Sequence, residues 1–132
     1  MRVFMTGGGT GGHVNPALAI ANTIKENDPA SEIAFVGTPR GIENKLVPAA
    51  GYKLYHVDVR GLRRSFSPAN IRAAWLALTS PAKAKKLIKQ FRPDVVIGTG
   101  GYVSWPVVKA AAKMGIPTAL HEYGCAYALR RR

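Results

Sequence analysis

Two glycine clusters are the parts of this sequence best suited to hold a ligand. Gly7-Gly8-Gly9-Thr10-Gly11-Gly12 contains a G-x-G-x-x-G at Gly7, Gly9 and Gly12, and Gly98-Thr99-Gly100-Gly101 forms a second cluster. Glycines let backbone N–H groups approach a ligand closely, and a helix N-terminus that follows them favours phosphate. A nicotinamide dinucleotide also requires an acid ending the second strand, to bond a ribose hydroxyl. Here that strand ends Val36-Gly37-Thr38-Pro39-Arg40, with no acid before Glu43. The dinucleotide reading lacks its second half, and no cofactor is expected. A nucleotide-hydrolysing G-x-x-x-x-G-K-[ST] loop is absent from the sequence. The plainer alternative is that the glycines serve only tight strand-to-helix turns. Two such loops facing one cleft argue against it.

Charge is the other feature with chemical content. Nine cations (Arg60, Arg63, Arg64, Arg72, Lys83, Lys85, Lys86, Lys89 and Arg92) lie between Arg60 and Arg92 with no acid among them, and Arg130 to Arg132 add three. The formal net charge is +12, from 19 Lys+Arg against 7 Asp+Glu. So uneven a distribution suggests a face for anionic lipid, phosphate or nucleic acid; a merely solvated lysine-rich face is the competing reading. Nucleic acid is not expected, because no reader motif accompanies the charge and few aromatics interleave it.

The rest of the sequence describes what must position these groups. With 132 residues, 47% hydrophobic and 20% charged, the chain is one globular domain. A single cysteine, Cys125, excludes a disulfide framework and any multi-cysteine metal site, which places the chain in a reducing compartment. The opening apolar stretch is too short for a signal peptide, and no run approaches ~18 uninterrupted apolar residues, so a soluble or peripheral protein is expected. Strands are predicted at Val3–Thr6, Ile33–Val36, Leu54–Val59, Asp94–Gly98 and Thr118–His121. Asn15-Pro16 reads as a helix start, with Ala17, Ile20, Ala21 and Ile24 at helical spacing after it. A short helix is predicted at Ile42–Val47 and another at Pro106–Met114. Ser67-Pro68 and Ser80-Pro81 each open a helix; Ile71, Ala74, Trp75 and Leu78 stripe the first, and Ala84, Leu87, Ile88 and Phe91 the second. This alternation gives an α/β fold, a Rossmann-like doubly wound parallel sheet whose ligands bind beyond the carboxyl ends of the strands.

Several motifs, in order and spacing, resemble the MurG family of bacterial lipid-linked N-acetylglucosaminyltransferases. They are Thr6 to Ala19 (TGGGTGGHVNPALA), Arg60-Gly61-Leu62-Arg63, Asp94 to Ser104 (DVVIGTGGYVS), Gly115-Ile116-Pro117 and His121-Glu122. The resemblance covers Met1 to about Glu122. It implies the N-terminal half of a two-domain GT-B glycosyltransferase: residues 1–122 as an acceptor- and membrane-binding domain, 123–132 as a divergent basic tail, and a C-terminal donor domain lying outside this sequence. Implied with it is an inverting hexosyl transfer in peptidoglycan synthesis. GlcNAc passes from UDP-GlcNAc to an undecaprenyl-diphosphate-linked muramoyl acceptor, at the cytoplasmic face of the cell membrane. This half alone is expected to be inactive.

Site roles follow from the same resemblance. His13 matches the family's candidate catalytic histidine; it serves as the base that takes the acceptor hydroxyl's proton, or as a binding or positioning residue. Glu122 matches an acid that orients the site or acts as base. Thr10, Gly11 and Gly12 correspond to a contact with the UDP-sugar, and Gly100, Gly101, Tyr102 and Ser104 to a loop that helps bind the acceptor diphosphate. Trp105 replaces the small residue usual before Pro106. His56 and His121 are assigned structural roles. Ile71, Arg72, Trp75 and Leu76 with Lys83, Lys85, Lys86 and Lys89 form the expected membrane face, while Leu87, Ile88 and Phe91 pack inward. No metal is expected. The alternatives are a non-catalytic lipid-diphosphate binding module and the acceptor subunit of a split transferase.

Overall fold

A computed structural model describes residues 1–58, 82–122 and 125–129. In chain order they form β1 (Arg2–Gly7), α1 (Gly11–Asn27), β2 (Glu32–Gly37), α2 (Glu43–Ala49), β3 (Lys53–His56), helix α3 (82–91), β4 (Val95–Gly100), α4 (Ser104–Lys113), β5 (Thr118–Glu122) and β6 (Cys125–Leu129). The sheet order is β3-β2-β1-β4-β5-β6, and its first five strands run parallel. The sixth is antiparallel to β5, with Glu122 opposite Cys125 and Thr118 opposite Leu129. Five parallel strands agree with the expected Rossmann-like fold. The hairpin return of β6 does not follow from the parallel pattern, and it places part of the supposed tail in the sheet.

Alternation along β1 sorts the core into two layers. Phe4 points to the side covered by α3 and α4, where Ile88, Phe91, Val107 and Ala111 pack. Val3 and Met5 point to the opposite side and meet Val14, Ala17 and Ala21 of α1 and Val47 of α2. Phe4 stacks on Phe91 at 4.5 Å and meets Tyr55 edge-on at 5.7 Å. Ala84, Ile88 and Phe91 of α3 are buried and Leu87 packs beside them, as the stripe predicted. Lys83, Lys85, Lys86 and Lys89 face solvent.

Helix α1 starts at Gly11, five residues before the first helical position expected from Asn15-Pro16. The Thr10 carbonyl already accepts from the His13 and Val14 N–H groups at 3.1 and 3.2 Å, so the first turn closes ahead of the proline. Pro16 then sits within the helix and only withholds the N–H that would have bonded the Gly12 carbonyl. Two glycines in a first turn each cost about 1 kcal/mol relative to alanine. Burial of Val14, Ala17 and Ala21 overrides that cost. Helix α4 likewise begins at Ser104 rather than Pro106, because a proline in the first turn replaces an N–H that has no intrahelical partner. Strand β3 closes at His56, although the Val57 N–H still donates to the Gly37 carbonyl at 2.9 Å. The segment after Pro68 for which a helix is expected, Arg60 to Arg64, Ile71, Arg72, Trp75 and Leu76 lie outside the described residues.

Candidate active site

The chain moves outward from β1 to β3 and then returns to pair β4 with the free side of β1. That reversal is where ligands bind in open α/β sheets. It places the two glycine clusters side by side, with Gly7 opposite Gly100 after a register shift that follows Thr6. Both Gly100 and Gly101 have positive φ, 112° and 86°. A Cβ at Gly100 would collide with the His13 ring, and one at Gly101 with the Gly8 carbonyl. These two positions therefore need glycine for both conformation and space.

His13 is fastened from two directions by Thr99. Its ring Nδ1 lies 3.2 Å from the Thr99 carbonyl, and its own carbonyl accepts from the Thr99 hydroxyl at 2.7 Å. A carbonyl only accepts, so this contact is a hydrogen bond when Nδ1 carries the proton. Nε2 is then left with a lone pair. Gly12, His13, Pro16, Thr99, Gly100, Gly101 and His121 line a cleft of about 350 Å³ at this point. A second cleft of about 380 Å³ adjoins it through Gly100, Gly101 and His121; Trp105, Val108, Lys109 and Leu120 extend its wall. Trp105 is 54% exposed, and the Lys109 ammonium stands 4.5 Å from its ring centroid.

The structure distributes the expected site residues unevenly. Gly12, His13, Gly100 and Gly101 meet at the first cleft; Thr10, Gly11 and Tyr102 line neither cleft. Ser104 borders the second cleft, but its side chain is turned inward. The hydroxyl lies 2.8 Å from both the Thr6 and Gly100 carbonyls and accepts from the Gly100 N–H at 3.2 Å. It ties β1 to the second glycine loop. Glu122 ends β5, whose carboxyl end stands beside that of β4. His56 bonds Asn44 through Nε2 at 2.6 Å, in keeping with a structural role. His121, also assigned a structural role, faces both clefts instead. Its position at the carboxyl end of a strand was the available signal.

Sequence reasoning passed over Glu43, using it only to discount a dinucleotide. The side chain is fully buried. One carboxylate oxygen accepts from the Gly9 N–H at 3.0 Å, and the other from the Thr38 N–H and hydroxyl at 2.7 and 2.8 Å. Burial alone would raise its pKa, but these hydrogen bonds outweigh it and hold the carboxyl below its ordinary value. Cβ atoms at Gly8, Gly37 or Gly41 would each run into this carboxylate. The space beside the first glycine loop is thus filled by the protein's own acid.

The sequence model of the Glycosyltransferase family 28 N-terminal domain matches residues 3–128. The chain belongs to this family. Its family 28 domain is 55% identical, over 122 residues, to a protein of Limosilactobacillus fermentum. That relative is named UDP-N-acetylglucosamine--N-acetylmuramyl-(pentapeptide) pyrophosphoryl-undecaprenol N-acetylglucosamine transferase. A Lactococcus lactis subsp. cremoris protein of the same name is 54% identical. Each alignment takes in 92% of this chain and 33% or 34% of the relative, so the chain spans about a third of their length. Among solved structures, Acinetobacter baumannii MurG superposes with a TM-score of 0.78 at 34% identity, over 92% of this chain and 35% of that one. The family 28 assignment agrees with the fold seen here and with the resemblance carried by the glycine motifs.

Proposed function

We propose that this family 28 domain is the acceptor side of an inverting glycosyltransferase. GlcNAc passes from UDP-GlcNAc to a muramoyl sugar carried on undecaprenyl diphosphate, the conversion of lipid I to lipid II in peptidoglycan synthesis. The observation that carries this reading is His13. Its Nδ1 lies 3.2 Å from the Thr99 carbonyl, so the Nδ1–H tautomer is the one that bonds it and leaves Nε2 as an acceptor, and the residue lines a cleft at the sheet's reversal point. In an inverting transfer the acceptor hydroxyl gives its proton to such a base. Its oxygen bonds the anomeric carbon from the face opposite the leaving group, and the bond to the diphosphate of UDP breaks. The side-chain-free turn at Gly100 and Gly101 lets the acceptor's diphosphate approach the second loop closely. The donor is held largely by a second domain, as the resemblance implies.

Membrane attachment belongs to the same proposal. Among the described residues no helix is long and apolar enough to cross a bilayer. The exposed Lys83, Lys85, Lys86 and Lys89 offer a cationic face to anionic headgroups, and each basic residue near such a surface contributes on the order of 1 kcal/mol. The domain then works peripherally, at the cytoplasmic face where UDP-sugars are found. The deciding experiment grafts residues 1–122 onto the remainder of the L. fermentum relative and follows UDP release with a lipid-linked acceptor. His13→Ala is expected to lower kcat about 10²–10⁴-fold with little change in KM. An unchanged kcat with a raised KM would make His13 a binding residue.

A further inference from the structure

Among the described residues Glu43 is the one fully buried charged side chain, and the reaction proposed above makes no use of it. Its surroundings form a series of contacts too close for any side chain. The Glu43 carboxylate lies against Gly8 and bonds the Gly9 N–H. The Gly8 carbonyl lies against Gly101, and the neighbouring Gly100 lies against the His13 ring. Four layers therefore stand in sequence: the carboxylate, the first glycine loop, the second glycine loop and the imidazole. Close-packed layers transmit displacement because they contain no slack. On the far side the carboxylate is anchored to the start of the β2–α2 loop by Thr38.

We infer that Glu43 is a positioning residue for His13: by seating the first glycine loop it sets the second loop, and hence the tautomer and direction of the imidazole. The inference deepens the role proposed for His13 and rests on it for its catalytic meaning. Its geometry is tested without any transfer reaction. Glu43→Gln keeps the side-chain size but presents one acceptor oxygen and one NH₂ where two acceptor oxygens are needed. A donor then meets a donor, at either Gly9 or Thr38.

The test is ¹⁵N NMR of the imidazole nitrogens in the 132-residue chain, with His56 and His121 as internal references. In wild type the Nδ1–H form of the neutral His13 ring is the expected major form, since it bonds the Thr99 carbonyl. In Glu43→Gln its population relative to the Nε2–H form is expected to fall at least twofold. Ile88→Ala, a core truncation in the layer on the opposite side of the sheet from Glu43 and its helix, supplies a control for a general loss of Tm and should leave the His13 signals in place. Should Glu43→Gln not fold, Thr38→Val carries the test, since it removes one anchor and retains the acid; a smaller change of the same sign is expected. Unmoved His13 signals in the folded variant, or an equal change in Ile88→Ala, would overturn the inference. A His13 that responds to Glu43→Gln, in a protein whose grafted His13→Ala form keeps its kcat, would uphold the positioning and remove the base role.

Discussion

Gly100→Ala tests the core of the site geometry, because two separable costs meet at that residue. The first is conformational: φ is 112°, and an L-residue held at positive φ loses about 1–2 kcal/mol. The second is spatial. The new Cβ would fall on the His13 ring, so the ring must swing away from the Thr99 carbonyl, losing a hydrogen bond of about 0.5–1.5 kcal/mol, or force its surroundings apart at about 1–3 kcal/mol. Together they give about 1.5–5 kcal/mol. Gly115→Ala isolates the first cost, since Gly115 has φ 76° and nothing near its would-be Cβ; about 1–2 kcal/mol is expected there. Urea unfolding of both variants, repeated in a His13→Ala background, completes a double-mutant cycle. With the ring gone, Gly100→Ala should cost no more than Gly115→Ala, a coupling of about 0.5–3 kcal/mol. If Gly100→Ala costs the same with and without His13, the contact between the second loop and the imidazole is wrong.

Three further outcomes are expected. The chain alone should not turn over UDP-GlcNAc and a lipid-linked acceptor, and measurable UDP release by it would refute the half-site reading. The Glu43 carboxyl titrates below its ordinary value when folded, so the unfolded chain takes up its proton first as pH falls. Its stabilisation is then complete above about pH 4.3 and lost below it. The gap in unfolding free energy between wild type and Glu43→Gln should therefore narrow from pH 7 to pH 3; a constant gap would mean that the buried acid is not ionised. Replacing Lys83, Lys85, Lys86 and Lys89 with Gln should abolish salt-sensitive binding to anionic vesicles and leave the Tm nearly unchanged, because exposed charges add little stability. Undiminished binding would make these lysines a solvated face only.

How much was legible in the sequence depended on whether a signal was local. Strands β1, β2, β4 and β5 announce themselves as short apolar runs, and the buried stripe of α3 follows from helical spacing, because those patterns reflect which face each element covers. Handedness then follows from the rule for parallel crossovers, and so does the placing of both glycine loops at the carboxyl ends of strands; their adjacency depends on β4 returning beside β1. The start of α1 was not legible. A proline normally marks the first turn, and only the packing of Val14, Ala17 and Ala21 against the sheet makes glycines 11 and 12 helical. The return of β6 needed an edge of the sheet to pair with, which no local pattern contains.

The site divides the same way. His13 and its glycines are fixed by sequence, since a residue one step beyond a glycine loop lies at the strand ends in any fold of this kind. What His13 can do depends on Thr99, which is distant in the chain and becomes its partner only because β4 returns beside β1. Ser104 reads as a free hydroxyl until Thr6 and Gly100 are seen to occupy it. Glu43 reads as an ordinary acid at the start of a short helix. Burial among Gly8, Gly37 and Gly41, with donors from Gly9 and Thr38, makes it a buried anchor of the first loop. Residue types and spacing decided which groups are available, and tertiary contacts decided which of their hydrogen bonds were already taken.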